Sequence, residues 1–286
     1  MINTLAIIGV GLIGGSFARD LRALGLVREI VGYGRSLGNL QLAVELGVLD
    51  RVAVNARDAV MGADLIVIAV PVGSIGAVLQ EIAPAIGATA VVTDVGSVKQ
   101  SVIGAARAAL GERFGSFVPG HPIAGTENSG VGASVEGLFR GRRVILTPTA
   151  GTDTGAAAHV YGLWQAVGAQ VVSMDAAEHD RILAASSHLP HMVAYALMDM
   201  LVRMDEHRQI FEYSAGGLHD TTRVAGSDGV MWRDIVLANR EALLSVLRQY
   251  HDDIGEMIDA IERGDGQWLL ETFQRARRGR EMLNKP

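Results

Sequence analysis

The chain of 286 residues contains no cysteine. This absence excludes disulfide bonds, zinc–thiolate sites and catalysis by a thiol. Aromatic residues make up only 5% of the chain and proline occurs 7 times, whereas glycine occurs 35 times. No apolar run approaches the roughly 20 residues that a membrane-spanning helix needs. The composition therefore favours an α/β protein with many tight turns.

Neither sign of charge dominates, because 25 Lys and Arg nearly balance 31 Asp and Glu and the formal net charge is only −6. Such weak acidity gives no reason to expect nucleic acid or an anionic membrane as a partner. Residues 1–4 contain no basic side chain ahead of the first apolar run, unlike a secretory signal. We therefore expect a cytoplasmic protein that binds neither nucleic acid nor membranes.

The first apolar run ends in a Gly-x-Gly-x-x-Gly motif formed by Gly9, Gly11 and Gly14, and a helical pattern follows. In a dinucleotide site the first glycine permits the turn, the second leaves room for the pyrophosphate, and the third lets the helix pack closely on the strand. The N–H groups at the helix start, around Leu12 and Ile13, face the pyrophosphate. A glycine-rich turn without a ligand is the alternative. The position between strand and helix favours dinucleotide binding.

Strand and helix patterns alternate through the first half of the chain. Apolar strands are predicted at residues 29–33, 64–71 and 90–94, and such two-sided apolar runs are typical of buried parallel strands. The alternation predicts a Rossmann-type, doubly wound α/β sheet. Ligands bind beyond the carboxyl ends of such strands. Val70 and Pro71, at the end of the second of these runs, are therefore expected to contact the cofactor.

The second half has a different character, because only helical periodicity remains from Ala176 onward. A broad apolar face extends over residues 182–204, and Pro190 is expected to bend that helix by removing one backbone donor. We predict a dinucleotide-binding domain over residues 1–172 and an all-helical domain over residues 173–286.

Two segments after predicted strands carry candidate catalytic residues. Ser97 lies three residues before Gln100 and fits a capping box, although a helix start at the mouth of a cleft also suits a small anionic ligand. His121 lies between a glycine and a proline, which gives it a constrained backbone and little freedom to enter a hydrophobic core. It is a candidate for proton transfer near neutral pH, and the alternative is a turn residue with its ring in solvent.

Several motifs occur in an order that resembles the prephenate/arogenate (cyclohexadienyl) dehydrogenase family of tyrosine biosynthesis. They extend from about Leu5 to about Asn239, which covers most of the chain. Several motifs in one order are far more specific than any single motif. The matching segments are residues 9–16, 93–99, 120–127, 187–191, 220–228 and 231–235.

The resemblance implies oxidative decarboxylation of prephenate, arogenate or both, with NAD(P) as the hydride acceptor. It implies that His121 accepts a hydrogen bond from the hydroxyl on the reacting carbon and that Ser97 orients that hydroxyl or His121. Arg223 would bind a substrate carboxylate, for which its planar guanidinium offers two parallel hydrogen bonds. From the residues alone, an ordinary salt bridge between Arg223 and Asp220 stays open.

The resemblance also adds residues that contact the substrate or line its entrance. His188 and His191 are three residues apart and share a helix face. A metal site there would need a third ligand that the sequence does not offer, so no metal is expected, and buried histidines bonded to the backbone are the alternative. The further substrate residues are Thr126, Glu127, His191, Asp220 and Trp232.

The end of the second predicted strand bears on the choice of cofactor. Gly34, Arg35 and Ser36 lie there, about 20 residues beyond Gly14, where many relatives carry an aspartate that binds the ribose and repels a 2′-phosphate. Here a guanidinium and a hydroxyl stand in its place, although Arg35 could simply be a solvated residue before the next helix. We predict NAD(P) as the cofactor, with NADP slightly favoured.

The last part of the chain bears on oligomeric state, and two alternative functions are considered after it. Apolar residues at steps of three and four from Leu243 to Ile261 suit helix–helix packing, and the resemblance implies a homodimer. A β-hydroxyacid dehydrogenase would need a catalytic lysine in the long helix, but residues 176–204 contain none. A non-catalytic dinucleotide sensor would not need His121 together with Arg223.

Overall fold

A computed structural model describes residues 1–125 and 128–283. The chain forms two compact units, Met1–Arg240 and Glu241–Pro286. Within the described residues, no helix has the length and apolar character needed to cross a membrane.

The larger unit contains two sheets. Six parallel strands have the spatial order β3-β2-β1-β4-β5-β6, and β7, β8 and β9 form a second, mixed sheet. The first order is that of the Rossmann fold, whose ligand crevice lies beyond the carboxyl ends of the strands. The strands are β1 (Ile2–Ile8), β2 (Val27–Tyr33), β3 (Arg51–Val52), β4 (Leu65–Ile68), β5 (Val91–Asp94), β6 (Phe117–Val118), β7 (Gly120–Pro122), β8 (Arg143–Leu146) and β9 (Gln170–Ser173).

Helices cover both faces of the six-stranded sheet, and every regular element between β9 and Leu283 is helical. The predicted fold, a doubly wound sheet followed by an all-helical region, is therefore confirmed. The helices are α1 (Leu12–Ala23), α2 (Leu37–Glu45), α3 (Ala56–Val60), α4 (Val72–Ile82), α5 (Gln100–Leu110), α6 (Thr154–Ala166), α7 (Ala176–Leu183), α8 (Leu189–Val202), α9 (His207–Glu212), α10 (Gly216–Thr222), α11 (Gly229–Ala238), α12 (Arg240–Glu262) and α13 (Gly266–Leu283).

The side chains of β1 show why its sequence is apolar on both sides. Leu5 and Ile7 belong to one hydrophobic core and Ala6 and Ile8 to the other, and all four are at most 1% exposed. Because successive side chains of a strand point to opposite faces, a strand covered on both faces must be apolar throughout. Each buried leucine or isoleucine contributes about 1.5–3 kcal/mol, so the central strands anchor the edge where ligands bind.

The short strand β7 changes the environment expected for His121. Its ring is not in solvent, because His121 is only 9% exposed and pairs with Ile145 of β8. The expectation that its glycine and proline neighbours would keep it out of the core is wrong. Gly120 makes this position possible, since a Cβ there would lie 3.0 Å from the Asp94 carbonyl oxygen. A strand of three residues shows no alternation that sequence could reveal.

The predicted irregularity at Pro190 takes the form of a helical junction. One π-helical turn, Ala184–His188, joins α7 to α8, and Pro190 lies in the first turn of α8. Because the backbone is helical on both sides of this junction, Pro190 removes one donor to the preceding turn, as expected. The predicted boundary between residues 172 and 173 falls within β9 and stays a prediction.

The smaller unit is built mainly from α12 and α13. Gly264, with φ of +64°, ends α12, and Asp265 caps α13 through the Trp268 N–H at 3.0 Å. A positive φ of this kind favours glycine. Many apolar side chains of the unit are exposed in the single chain: Tyr250, Ile254, Ile258, Ile261, Leu270, Phe273, Met282 and Leu283.

Candidate active site

The glycine turn, defined as Gly9, Gly11 and Gly14, has a separate steric reason at each position. Gly9 has φ of +96°, and a Cβ there would lie 2.5 Å from the Ala69 carbonyl oxygen. A Cβ on Gly14 would lie 2.8 Å from the Gly9 carbonyl oxygen. A Cβ on Gly11 would meet no atom within 4 Å. The first and third glycines therefore permit the backbone path, and the second faces open space.

The helix that follows offers backbone donors to a ligand. No side chain caps the N-terminus of α1 in the described structure, so the N–H groups of its first turn, which includes Leu12 and Ile13, are available. A cavity of about 570 Å³ lies in front of the glycine turn. Free helical N–H groups and open space beside Gly11 suit a pyrophosphate. The predicted cofactor residues that line the cavity are Gly9, Gly11, Gly34, Arg35, Ser36, Val70 and Pro71.

The part of this cavity beside the end of β2 has no carboxylate among its described lining residues. Arg35 is exposed there, and Ser36 caps α2 by accepting the Asn39 N–H at 3.3 Å. Asn39 donates to the Val10 carbonyl at 2.6 Å and accepts from the Val131 N–H at 2.9 Å. These bonds fix the loop, and none of them involves Arg35.

A buried ion pair lies at the carboxyl end of β5. The Lys99 Nζ donates to Asp94 Oδ2 at 2.5 Å and to the Gly120 carbonyl at 2.6 Å, and both side chains are fully buried. Asp94 Oδ1 accepts the Gly120 N–H at 3.2 Å. The pair therefore holds both polar groups of Gly120, the residue before His121. Burial lowers the pKa of Lys99, and the Asp94 carboxylate opposes that change.

The start of α5 differs from the predicted capping box at Ser97. The helix begins at Gln100, and no side chain of its own first turn caps it. Instead, Asp180 caps it from α7, accepting the Lys99 N–H at 2.8 Å and the Gln100 N–H at 2.9 Å. The capping box is therefore wrong, because a carboxylate distant in sequence satisfies these donors. Ser97 is half-buried, and its predicted catalytic role stays a prediction.

Four imidazoles gather beside this ion pair, and we refer to His121, His179, His188 and His191 as the histidine cluster. His121 Nδ1 lies 2.8 Å from His179 Nε2, and His179 Nδ1 lies 2.7 Å from Asp180 Oδ1. His179 and Asp180 are at most 1% exposed. Burial is the main cause that holds the pKa of His121 well below its ordinary value. A positive charge on His179, on Lys99 or on His188 acts in the same direction.

His188 is held in a neutral form by its neighbour Asn239. The Asn239 amide nitrogen donates to the Asp180 carbonyl at 2.8 Å, which fixes the orientation of that amide, and it lies 3.1 Å from His188 Nδ1. His188 Nδ1 must therefore accept, which places the proton on Nε2. Burial lowers the pKa of His188 to about 4, although Asp180 opposes this.

His191 stacks on Trp232, with ring centroids 3.6 Å apart and an angle of 22° between the planes. Its Nδ1 lies 2.9 Å from the Ser187 carbonyl, so Nδ1 carries the proton and Nε2 is left as an acceptor. Burial lowers the pKa of His191, the bond to Ser187 opposes this, and the nearby Arg223 charge lowers it further. Trp232 itself is 7% exposed and also packs edge-on against His188.

The remaining predicted substrate residues are less enclosed. Arg223 follows α10 and, like Asp220 within it, is exposed. Thr126 and Glu127 lie outside the described residues. The structure therefore brings His191, Trp232 and Arg223 close together, and it places His121 with His179 at the carboxyl edge of the sheet. No group of three or more metal-binding side chains suited to a metal ion occurs among residues 1–125 and 128–283.

Comparison with known families gives two matches that together cover most of the chain. Residues 17–173 match the prephenate dehydrogenase nucleotide-binding domain, and residues 175–275 match the prephenate dehydrogenase dimerization domain. The chain belongs to the prephenate dehydrogenase family.

Relatives within this family carry related names. A cyclohexadienyl dehydrogenase of Zymomonas mobilis is 40% identical over 98% of this chain and 95% of its own. The crystal structure of prephenate dehydrogenase from Aquifex aeolicus in complex with hydroxyphenyl propionate and NAD+ has a TM-score of 0.92 at 35% identity, with 99% of both chains covered. Synechocystis arogenate dehydrogenase has a TM-score of 0.81 at 29% identity, covering 98% of this chain and 99% of that one.

Some residues of this family member's site were not found by sequence reasoning. His179, Asp180 and Asn239 belong to no short motif, and they meet only through tertiary structure. Lys99 lies within a recognised motif, but nothing local shows that its ammonium is buried. A weak signal existed: His179 and Asp180 are adjacent polar residues in the middle of the amphipathic helix α7.

Proposed function

We propose that this protein is an NAD(P)-dependent dehydrogenase that oxidatively decarboxylates prephenate, arogenate or both in tyrosine biosynthesis. The observation that carries the proposal is the placement of His121. Its Nδ1 is engaged by His179, and Nε2 is left without a partner among the described residues. The ring lies next to the Asp94–Lys99 pair, at the sheet edge where the glycine turn also lies.

On the cofactor side, the protein would align the dinucleotide with the reacting carbon of the substrate. The first turn of α1 and the open space over Gly11 would hold the pyrophosphate, and Val70 and Pro71 would line the path beyond β4. A bound nicotinamide would supply the acceptor for the hydride that leaves the reacting ring carbon. The protein contributes position and electrostatics to that chemistry.

On the substrate side, the protein would supply a hydrogen-bond acceptor for the hydroxyl and a cation that binds a carboxylate. His121 Nε2 would accept the hydrogen bond of the substrate hydroxyl, and Ser97 would orient either group. As CO2 departs, the electron pair of the broken carbon–carboxylate bond completes the aromatic ring. The hydroxyl proton, which is shared with His121 during hydride transfer, ends on the hydroxyl oxygen of the product, so no net proton is released. Arg223, beside His191, would bind a carboxylate through charge-assisted hydrogen bonds. Thr126, Glu127, Asp220 and Trp232 would complete the substrate surroundings.

We further propose that NADP is used at least as well as NAD. Support comes from the loop after β2, where no carboxylate is present and the Arg35 guanidinium stands exposed on the cavity. An exposed guanidinium matches a 2′-phosphate in charge and geometry.

The helical region would bind substrate and form a homodimer. Residues 173–286 contain His191 and Arg223, and the match to a dimerization domain covers residues 175–275. Exposed apolar side chains of α12 and α13 are suited to burial by a second subunit. The cytoplasmic location stays a prediction.

Initial rates with prephenate and arogenate, each measured with NAD and with NADP, test the proposal. We expect reduction of the cofactor with at least one substrate, together with release of CO2. A protein that binds NADP tightly and turns over neither substrate would overturn the proposal and favour a sensor.

A further inference from the structure

Asp180, His179 and His121 form a chain of hydrogen bonds within the histidine cluster. The donor and the acceptor of each bond can be derived by starting from Asp180. Asp180 receives hydrogen bonds at both oxygens, from the His179 ring and from the N–H groups of Lys99 and Gln100. Burial alone would raise the pKa of Asp180, but these hydrogen bonds outweigh it and the pKa lies below its ordinary value. An ionised carboxylate only accepts hydrogen bonds. His179 therefore carries a proton on Nδ1.

The second ring nitrogen of His179 follows from charge and burial. His179 is fully buried, and the ammonium of Lys99 lies close enough to disfavour a positive charge on His121. A further proton on His179 would add a second buried cation near Lys99, which is costly. The carboxylate that His179 contacts, that of Asp180, already shares its charge with two N–H groups at the start of α5. A neutral His179 has a lone pair on Nε2.

The arrangement at His121 is then determined. With a lone pair on His179 Nε2, the contact of 2.8 Å requires a proton on His121 Nδ1. In a neutral imidazole, the proton on Nδ1 leaves the lone pair on Nε2. The two bonds that the Asp94–Lys99 pair makes to Gly120 also fix the backbone from which this ring projects.

We propose that His179, oriented by Asp180, is a positioning residue that keeps the proton of His121 on Nδ1 and so presents Nε2 as the hydrogen-bond acceptor. The inference rests on the proposed function only for the role of that acceptor. The tautomer itself is a property of the protein without substrate. If His179 were merely a packing residue, the position of the proton on His121 would not depend on it.

Nitrogen-15 NMR of the full chain tests the tautomer directly, with His121→Asn used to assign the His121 signals. We expect a protonated Nδ1 and an unprotonated Nε2 on His121 near pH 7. A proton on Nε2 would overturn the proposal. This result is independent of turnover, so it is distinguishable from a failure of the proposed function.

A matched pair of variants separates the hydrogen bond from packing. In His179→Gln the amide oxygen reaches about as far as Nε2 and can still accept from His121, whereas in His179→Asn the shorter amide reaches only as far as Nδ1. We expect His179→Asn to lower kcat at least tenfold, and by no more than the roughly 10²–10⁴-fold loss expected when general acid–base help is removed altogether. We also expect it to shift the His121 proton to Nε2. KM and NADP affinity should stay near the parent values, and His179→Gln should recover most of kcat.

The control is His159→Asn, the same change at an exposed position of α6, which should leave kcat and the tautomer unchanged. Equal loss of kcat in both His179 variants, with the His121 tautomer kept, would show that His179 only packs and would overturn the proposal. If His179→Asn fails to fold, the parent spectrum and His179→Gln still decide the question.

Discussion

The glycine turn is formed by neighbouring residues, whereas the histidine cluster is assembled from segments that are distant in sequence. The glycine turn lies within Gly9–Gly14, and its requirements are local backbone geometry and the close approach of Ala69. The histidine cluster joins β7 to α7, the π-helical turn and α8, and 58 residues separate His121 from His179. A local turn depends on little beyond its own strand and helix. An assembled cluster depends on every segment that supplies a group, so its behaviour should be sensitive to single polar substitutions.

The strongest way to break the assembled cluster is His121→Asn. Because this change removes the acceptor, kcat should fall by roughly 10²–10⁴, the usual range for general acid–base help. The glycine turn is untouched, so NADP affinity should barely change. Steady-state kinetics with equilibrium cofactor binding checks both. A loss of kcat below tenfold would contradict the role of His121.

The second prediction concerns stability against pH, with His188 as the titrating group. Its pKa is about 4 in the folded protein, below the ordinary value of 6.5, so the unfolded state binds more protons between these values. Stability from this group is therefore complete above pH 6.5 and is lost as pH falls towards 4. The loss amounts to about 3 kcal/mol at 1.36 kcal/mol per pKa unit. Urea unfolding at pH 7, 5.5 and 4.5 measures it.

The variant His188→Gln sharpens that measurement. It removes the titrating ring, so its stability should fall less steeply with acid than that of the parent, whatever its stability at pH 7. His159→Gln, at an exposed position, should keep the parent slope. Equal slopes in the parent and His188→Gln would show that His188 is not the group responsible.

The fold could be predicted because its signals are local. Two-sided apolar strands, the glycine turn and the loss of strand pattern after residue 176 each need only neighbouring residues. Three strands that no sequence pattern indicates, β3, β6 and β7, have two or three residues each. Such strands are defined by their partners, and a sequence window of that length contains no periodicity.

The candidate site could be predicted only in part, for a related reason. His121 is marked by its neighbours Gly120 and Pro122, but its partner His179 is not marked by anything nearby. The capping box at Ser97 satisfied a local pattern, and the competing carboxylate of Asp180 lies about 80 residues away. Tertiary partners override local propensities where a buried donor needs an acceptor.

The smallest predicted effect concerns Arg35, which lines the same cavity as the glycine turn. Ser36 and Asn39 hold the loop through α2 and its neighbours, and Arg35 makes no hydrogen bond or ion pair with any described residue. Arg35→Ala should therefore leave the fold, the histidine cluster and NAD binding unchanged.

A charge-assisted hydrogen bond is worth about 1.5–3 kcal/mol, and exposure to solvent places the bond between Arg35 and a 2′-phosphate at the lower end. We expect NADP affinity to fall about tenfold, measured by titration of both cofactors, with Arg35→Lys retaining part of the preference because it keeps the charge. A parent enzyme that prefers NAD tenfold or more would show that the guanidinium does not meet a 2′-phosphate.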